Sequence, residues 1–221
     1  MIAVISADLL ESSGYSSQLL ERVLNTLNSE FGYLEKADIQ SNFEIYRGDS
    51  LQGILPPIHA LKTAILFKTA INKLHSRIGK NTNSFKKEAD LRVSIGIGTF
   101  DFKRTSILES NGQAFQFSGR ALDDLKEEGR KIKLVTPIEN INAEFEASLF
   151  LFEIISDKWS TASAEVVYYL LKGLKETEIA DEIGISQSAV NQRKKAAGWD
   201  AIELLLARFA QVITENFTNG K

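Results

Sequence analysis

Gln187, Ser188, Asn191 and Gln192 stand within six residues of one another, and Arg193, Lys194 and Lys195 follow at once. Side-chain amides and hydroxyls hydrogen-bond base edges in the major groove, and cations behind them neutralise phosphates. The chemistry this grouping suggests is recognition of double-stranded DNA. It requires that the polar residues share one face of a helix whose other face is held. The run Glu176 to Ala197, ETEIADEIGISQSAVNQRKKAA, supplies both. Ile179, Ala180 and Ile183 form an apolar stripe, Gly184 permits a left-handed turn, and Ile185 and Val190 continue the stripe into a second helix. Ser186 stands where an N-cap belongs. The spacing predicts a helix-turn-helix whose second helix meets the bases; the bland alternative is a helical hairpin used only for packing. Arg193 occupies a place where such motifs often carry an aliphatic. Glu176, Glu178, Asp181 and Glu182 offset the neighbouring bases, so non-specific affinity from this module alone is expected to be weak.

A second grouping involves carboxylates. Asp8 ends an apolar run that reads as a first strand, and Asp49 lies at the tip of a hairpin expected beside it. With Ser12, Ser13 and Ser50 nearby and a glycine-rich strand opposite, the pair would suit Mg²⁺ and a nucleoside triphosphate. Read alone, Asp8 serves equally as a helix or turn cap, and Asp49 in Arg47-Gly48-Asp49-Ser50 as a plain turn residue.

The elements that would position these groups follow from periodicity. Ile2 to Ala7 reads as a buried strand. Leu20, Val23, Leu24, Leu27, Phe31 and Leu34 mark a helix face. Phe43 to Arg47 and Leu51 to Leu55 are strands joined by Gly48, Asp49 and Ser50. A helix entered at Pro57 turns Leu61, Ala64, Ile65, Ile71, Leu74 and Ile78 inward, and a polar loop at Asn81 to Ser84 follows. In the strand Leu91 to Thr99, Leu91, Val93, Ile95 and Ile97 alternate with Arg92, Ser94, Gly96 and Gly98, one face greasy and the other nearly bare. Gly112 to Glu127 is helical and Lys131 to Thr136 is a last strand. This order predicts an α+β sheet with helices on one side and the other side open. From Ile141 through Trp159 a helix connects to the C-terminal helices, the last of which, Trp199 to Phe217, carries an apolar stripe wide enough for a second copy.

The chain of 221 residues has no cysteine and only two histidines, His59 and His75, without ligand spacing. Disulfides and thiolate zinc are excluded, and a histidine metal site is not expected. The N-terminal run lacks a basic leader and meets Asp8 early, and no later run is long enough to span a bilayer, so a cytoplasmic protein with no membrane partner is expected. A net charge of -3 leaves any nucleic-acid contact to a local patch.

The segments ISADLLESS, YRGDSLQ, LRVSIGIG and GQAFQFSGRALDDL resemble the SatD family, whose first domain is similar to the palm of class III nucleotide cyclases and GGDEF proteins. The resemblance implies a ferredoxin-like, nucleotide-cyclase-like palm over residues 1–138, a connecting helix over 139–160 and an all-α helix-turn-helix domain over 161–221. It implies metal binding by Asp8 and Asp49, nucleotide contact by Ser12, Ser13, Ser50 and Gly112, and catalytic roles for Arg120 and Gln116. Gln116 stands where the cyclases have asparagine, and the hairpin has Arg-Gly-Asp-Ser in place of paired acids. The function expected is a DNA-binding regulator, homodimeric, whose palm binds a nucleotide with Mg²⁺. The alternative is an active Mg²⁺-dependent cyclase or nucleotidyltransferase with a helical docking tail.

Overall fold

Strand β1 (Ile2–Leu9) is buried on both faces along nearly its whole length, which is why its sequence is apolar without alternation. The computed structural model describes residues 1–46, 48–75, 87–100 and 111–218; Arg47, Ile78 and the loop Asn81 to Ser84 lie outside them. β1 is the centre of a five-stranded sheet with β2 (Asn42–Tyr46), β3 (Ser50–Leu55), β4 (Leu91–Gly98) and β5 (Ile132–Val135), in the order β2-β3-β1-β4-β5. Only the β4–β5 pair is parallel. The fold is α+β on a mixed sheet.

One face of the sheet, through Ala3, Ile5, Ala7 and Leu9, packs on α1 (Ser17–Lys36) and α2 (Ala60–Asn72). Ser16 caps α1, its hydroxyl accepting from the Leu19 amide at 3.2 Å. Stacked and edge-on contacts among Phe31, Phe43 and Phe67 fill the space between these helices and β2. α2 is buried all round because α5 (Thr161–Leu171) covers its outer side. It ends at Asn72, so Leu74 falls beyond the helix into which its spacing placed it.

Helices cover both faces of the sheet, not one as the element order predicts. α3 (Gln113–Glu128) lies across the second face, over β4 and part of β1. The bare positions of β4 admit it: a Cβ on Gly96 would lie 2.3 Å from the Ala114 carbonyl oxygen and 2.5 Å from the Ser118 amide nitrogen. The strand is bare so that a helix backbone can approach. A seam of small polar groups completes the joint. Ser118 and Ser6 hydroxyls meet at 3.0 Å, and the Ser94 hydroxyl donates to the Ser118 carbonyl at 2.7 Å. Val4, Ala114 and Phe115 form a small apolar cluster beside them.

The helices that follow share the main core. α4 (Glu139–Asp157) contributes Ile141, Phe145, Leu149 and Phe152, and α8 (Trp199–Ile213) contributes Ile202, Phe209, Val212 and Ile213. The segment expected as a connection, 139–160, contains α4, which shares this core and packs on β5. A buried polar joint ties α1 to α5: Tyr168 donates to Glu30 at 2.7 Å, Lys172 reaches Glu30 at 2.9 Å, and the Lys73 ammonium lies 3.6 Å over the Tyr168 ring. Among the described residues no helix is long and apolar enough to cross a membrane.

Candidate nucleic-acid interface and the sheet-end carboxylates

α6 (Glu176–Ile183) ends on Gly184, whose φ of 70° places it in the left-handed region, and the Ile185 amide returns to the Ala180 carbonyl at 3.0 Å. This closure satisfies the last carbonyls of α6 and turns the chain sharply. α7 (Gln187–Ala196) starts at once, with the Ser186 hydroxyl accepting from the Ala189 amide. Ile179, Ala180 and Val190 pack on Val166 of α5, with Ile183 and Ile185 around them. They form a satellite core apart from the main one, and the stripe read from spacing is its inner surface.

Val190 is the single buried residue of α7, and half of the helix residues, Gln187, Ser188, Gln192, Lys195 and Ala196, are exposed. Ser188, Gln192 and Lys195, at i, i+4 and i+7, form one exposed row with Gln187 at the helix start. The other expected DNA contacts are held by acids. Glu176 accepts from Lys194 at 3.1 Å and from Asn191 at 3.4 Å, and Arg193 lies 3.8 Å from Glu165 on α5. The hydrogen bond from Lys194 is the main cause of a Glu176 pKa below the usual carboxylate value. Arg193 at a position expected to be aliphatic is explained by Glu165, a partner its own motif did not reveal. The Trp159 indole donates to the Ala197 carbonyl at 2.9 Å and fixes the far end of α7.

Asp8 and Asp49 do lie at one sheet end. Asp8 pairs across the ladder with Ser50 on one side and Arg92 on the other, and the Leu9 amide donates to the Asp49 carbonyl at 2.9 Å. Their carboxylates are differently engaged. The Ser50 hydroxyl, its neighbour, and the Ser12 hydroxyl, from the segment after β1, donate to Asp49 at 3.2 and 2.8 Å. Arg92 Nη1 donates to both oxygens of Asp8, at 3.2 and 3.1 Å, and Lys126 Nζ lies 3.4 Å away. Ser13 is exposed and touches neither aspartate.

These residues do not suit Mg²⁺ as they stand. A divalent cation about 4 Å from a unit positive charge meets roughly 8 kcal/mol of repulsion at an effective dielectric near 20, and Asp8 already holds two such charges. No cluster of three or more potential metal ligands occurs among the described residues. We expect calorimetric titration of Mg²⁺ to give no saturable heat with the wild-type protein and saturable heat with the Arg92→Ala, Lys126→Ala double variant. Binding by the wild type would refute this account of Asp8.

The remaining expected contacts are elsewhere. Gly112 precedes α3 beside Thr99, at the end of β4 that pairs with Ile2. Six residues of β1 separate that end from Asp8, about 20 Å at strand spacing. Gly112 is therefore not part of a site with Asp8, Ser12 and Ser50. Gln116 and Arg120 stand on the exposed face of α3, away from the sheet, and neither bonds to either aspartate.

A buried charged cluster that sequence spacing does not reveal lies around Lys68 and Asp90. Lys68, 2% exposed, donates to Asp90, which also accepts from Asn72 at 2.8 Å, and Lys131 lies 3.5 Å away. Burial pushes the Asp90 carboxyl up, but Lys68, Lys87 and the hydrogen bonds from Lys68 and Asn72 outweigh it, and the net shift is strongly downward. Lys68 stands within the apolar stretch from Ala64 to Ile71 of α2 and Asn72 closes it, an i, i+4 pair and the one sequence signal that points to them.

No protein-family model matches the chain, and no curated protein does. Among solved structures the guanylyl cyclase Cya2 is similar over 56% of this chain and 69% of that chain, at 14% identity and a TM-score of 0.37. A likeness of that degree carries nothing about chemistry.

Proposed function

We propose that the chain is a cytoplasmic DNA-binding regulator in which α6 and α7 act as a helix-turn-helix and α7 enters the major groove. The observation that carries the reading is the exposed row Ser188, Gln192 and Lys195, with Gln187 at the capped start of the helix and only Val190 beneath. Gln187, Ser188 and Gln192 hydrogen-bond base edges, and Lys195 neutralises a phosphate. Glu176 holds Asn191 and Lys194 until a phosphate oxygen replaces it. The sheet, in this reading a cyclase-like palm of SatD type, is the body that carries and pairs these helices, and two copies bind a two-fold site.

Selection from random duplexes tests this. We expect a near-palindrome with half-sites about one helical turn apart. Gln187→Ala or Gln192→Ala costs about 1 to 3 kcal/mol per lost bidentate contact and relaxes sequence preference. Lys195→Ala weakens all sequences alike and lowers the salt slope by about one unit. Failure to enrich any sequence at low salt overturns the proposal. The alternative, a Mg²⁺-dependent cyclase or nucleotidyltransferase, is favoured by the placement of Asp8 and Asp49 at one sheet end, and it needs Arg92 and Lys126 to release Asp8.

A further inference from the structure

A cavity of about 250 Å³ lies where the C-terminal end of α1, the N-terminal end of α2 and Leu171 of α5 meet. Its two charged residues stand at the unfavourable ends of their helices. Asp38 follows α1 in a Schellman closure, with the Asp38 amide donating to the Glu35 carbonyl at 3.1 Å and the Ile39 amide to the Leu34 carbonyl at 3.0 Å. Its φ of 57° is one that glycine or asparagine takes more readily, and its carboxylate stands at the negative pole of the helix dipole. Lys62, the third residue of α2, puts a cation at the positive pole, and no acid stands in that first turn to offset it. Neither Asp38 nor Lys62 makes an ion pair or a side-chain hydrogen bond among the described residues.

Two further polar groups border the same space. Thr63 is 2% exposed, and its hydroxyl makes no hydrogen bond among the described residues. His59 precedes the first turn of α2 without capping it. Burial and the Lys62 charge hold its pKa below the ordinary 6.5, so the imidazole is mostly neutral at pH 7. Much of the remaining wall is aliphatic, from Leu34, Leu66 and Leu171.

We propose that this cavity binds a small zwitterion with an aliphatic side group, of the class of valine or leucine, its ammonium on Asp38 and its carboxylate on Lys62, His59 and Thr63. Each charge of such a ligand meets an opposite side chain and also the helix pole that favours it, the ammonium at the carbonyl end of α1 and the carboxylate at the amide end of α2. A plain anion or a plain amine answers only one of the two. Charges that break a local rule without a partner in the chain are expected where function requires them, and here both border one cavity. Counting about 30 Å³ for each water-sized group, the space holds roughly eight non-hydrogen atoms, the size of valine.

Calorimetric titration of the full chain with L-valine and L-leucine tests this, with isovalerate and isobutylamine as single-charge probes. At least one amino acid should bind saturably and at least tenfold more tightly than either single-charge probe. Asp38→Asn keeps the size and suits the left-handed backbone, so it should raise the melting temperature by about 1 to 3 °C while weakening binding at least tenfold. Lys62→Gln should weaken binding likewise. The chain has two histidines, so their imidazole resonances give an independent readout: the amino acid should shift His59 and leave His75 unmoved. Absence of saturable binding by either amino acid, equal affinity for a single-charge probe, or wild-type affinity in Asp38→Asn would each overturn the proposal. No residue of α6 or α7 lines the cavity and no DNA enters the test, so its outcome is independent of the DNA reading.

Discussion

Replacing Asp90 by alanine is expected to lower stability by about 3 to 5 kcal/mol, because it leaves the Lys68 ammonium buried without its counter-charge. For a chain of this length that corresponds to a fall of roughly 10 °C in melting temperature. Asp90→Asn keeps the shape and loses the charge, so most of the loss should persist in it. A Lys68→Met, Asp90→Asn double variant removes both charges and should recover much of the loss, the coupling that distinguishes an ion pair from simple packing. The pH dependence has a definite sign. Asp90 is held below its ordinary value of 3.8 in the folded chain, so its contribution is complete above that value and is lost as pH falls below it. Urea unfolding at pH 7 and between pH 4 and 2 should give a steeper acid loss for wild type than for Asp90→Asn. If Asp90→Ala unfolds within 1 kcal/mol of wild type at pH 7, the cluster is not a stabilising centre of the fold.

That cluster marks where the sequence was least readable. Strands β1 to β5 and the helix faces follow from periodicity, since Leu91, Val93, Ile95 and Ile97 must bury one side of a pleat whatever covers the other. The α6–α7 turn is local chemistry and was readable to the residue: an apolar stripe, Gly184 and the Ser186 cap. Partners far apart in the chain were not readable. Arg92 and Lys126 come to Asp8 from a neighbouring strand and from the last turns of α3, and nothing near Asp8 in sequence announces them. Hydrophobic spacing alone assigns α2, and the buried Lys68 cation is invisible until Asp90 is placed beside it. The alternation of β4 is plain in its sequence, but its meaning is not. A bare strand face suits a bound ligand or a helix backbone equally, and only the three-dimensional path of α3 decides between them.

The same face yields the other prediction of large effect. Gly96→Val is expected to cost about 3 kcal/mol or more, above the ordinary range for overpacking. Its first added carbon would meet the backbone of α3 at Ala114 and Ser118, which cannot rotate away as a side-chain tip can. The helix must lift, and with it go the burial of Ala114, Phe115, Ala121, Leu122 and Leu125 and the serine seam to Ser6 and Ser94. Gly119, on α3 itself, supplies the matched control. A Cβ there meets nothing within 4 Å and its φ is not in the left-handed region, so Gly119→Ala should stabilise the helix by about 0.5 to 1 kcal/mol. Gly96 and Gly119 thus respond with opposite sign, the strand residue because a helix rests on it and the helix residue because it faces open space. Denaturant midpoints for the two variants, measured with the slope m to detect a detached α3, decide the matter. A Gly96→Val protein with the wild-type midpoint would mean that α3 does not rest on β4.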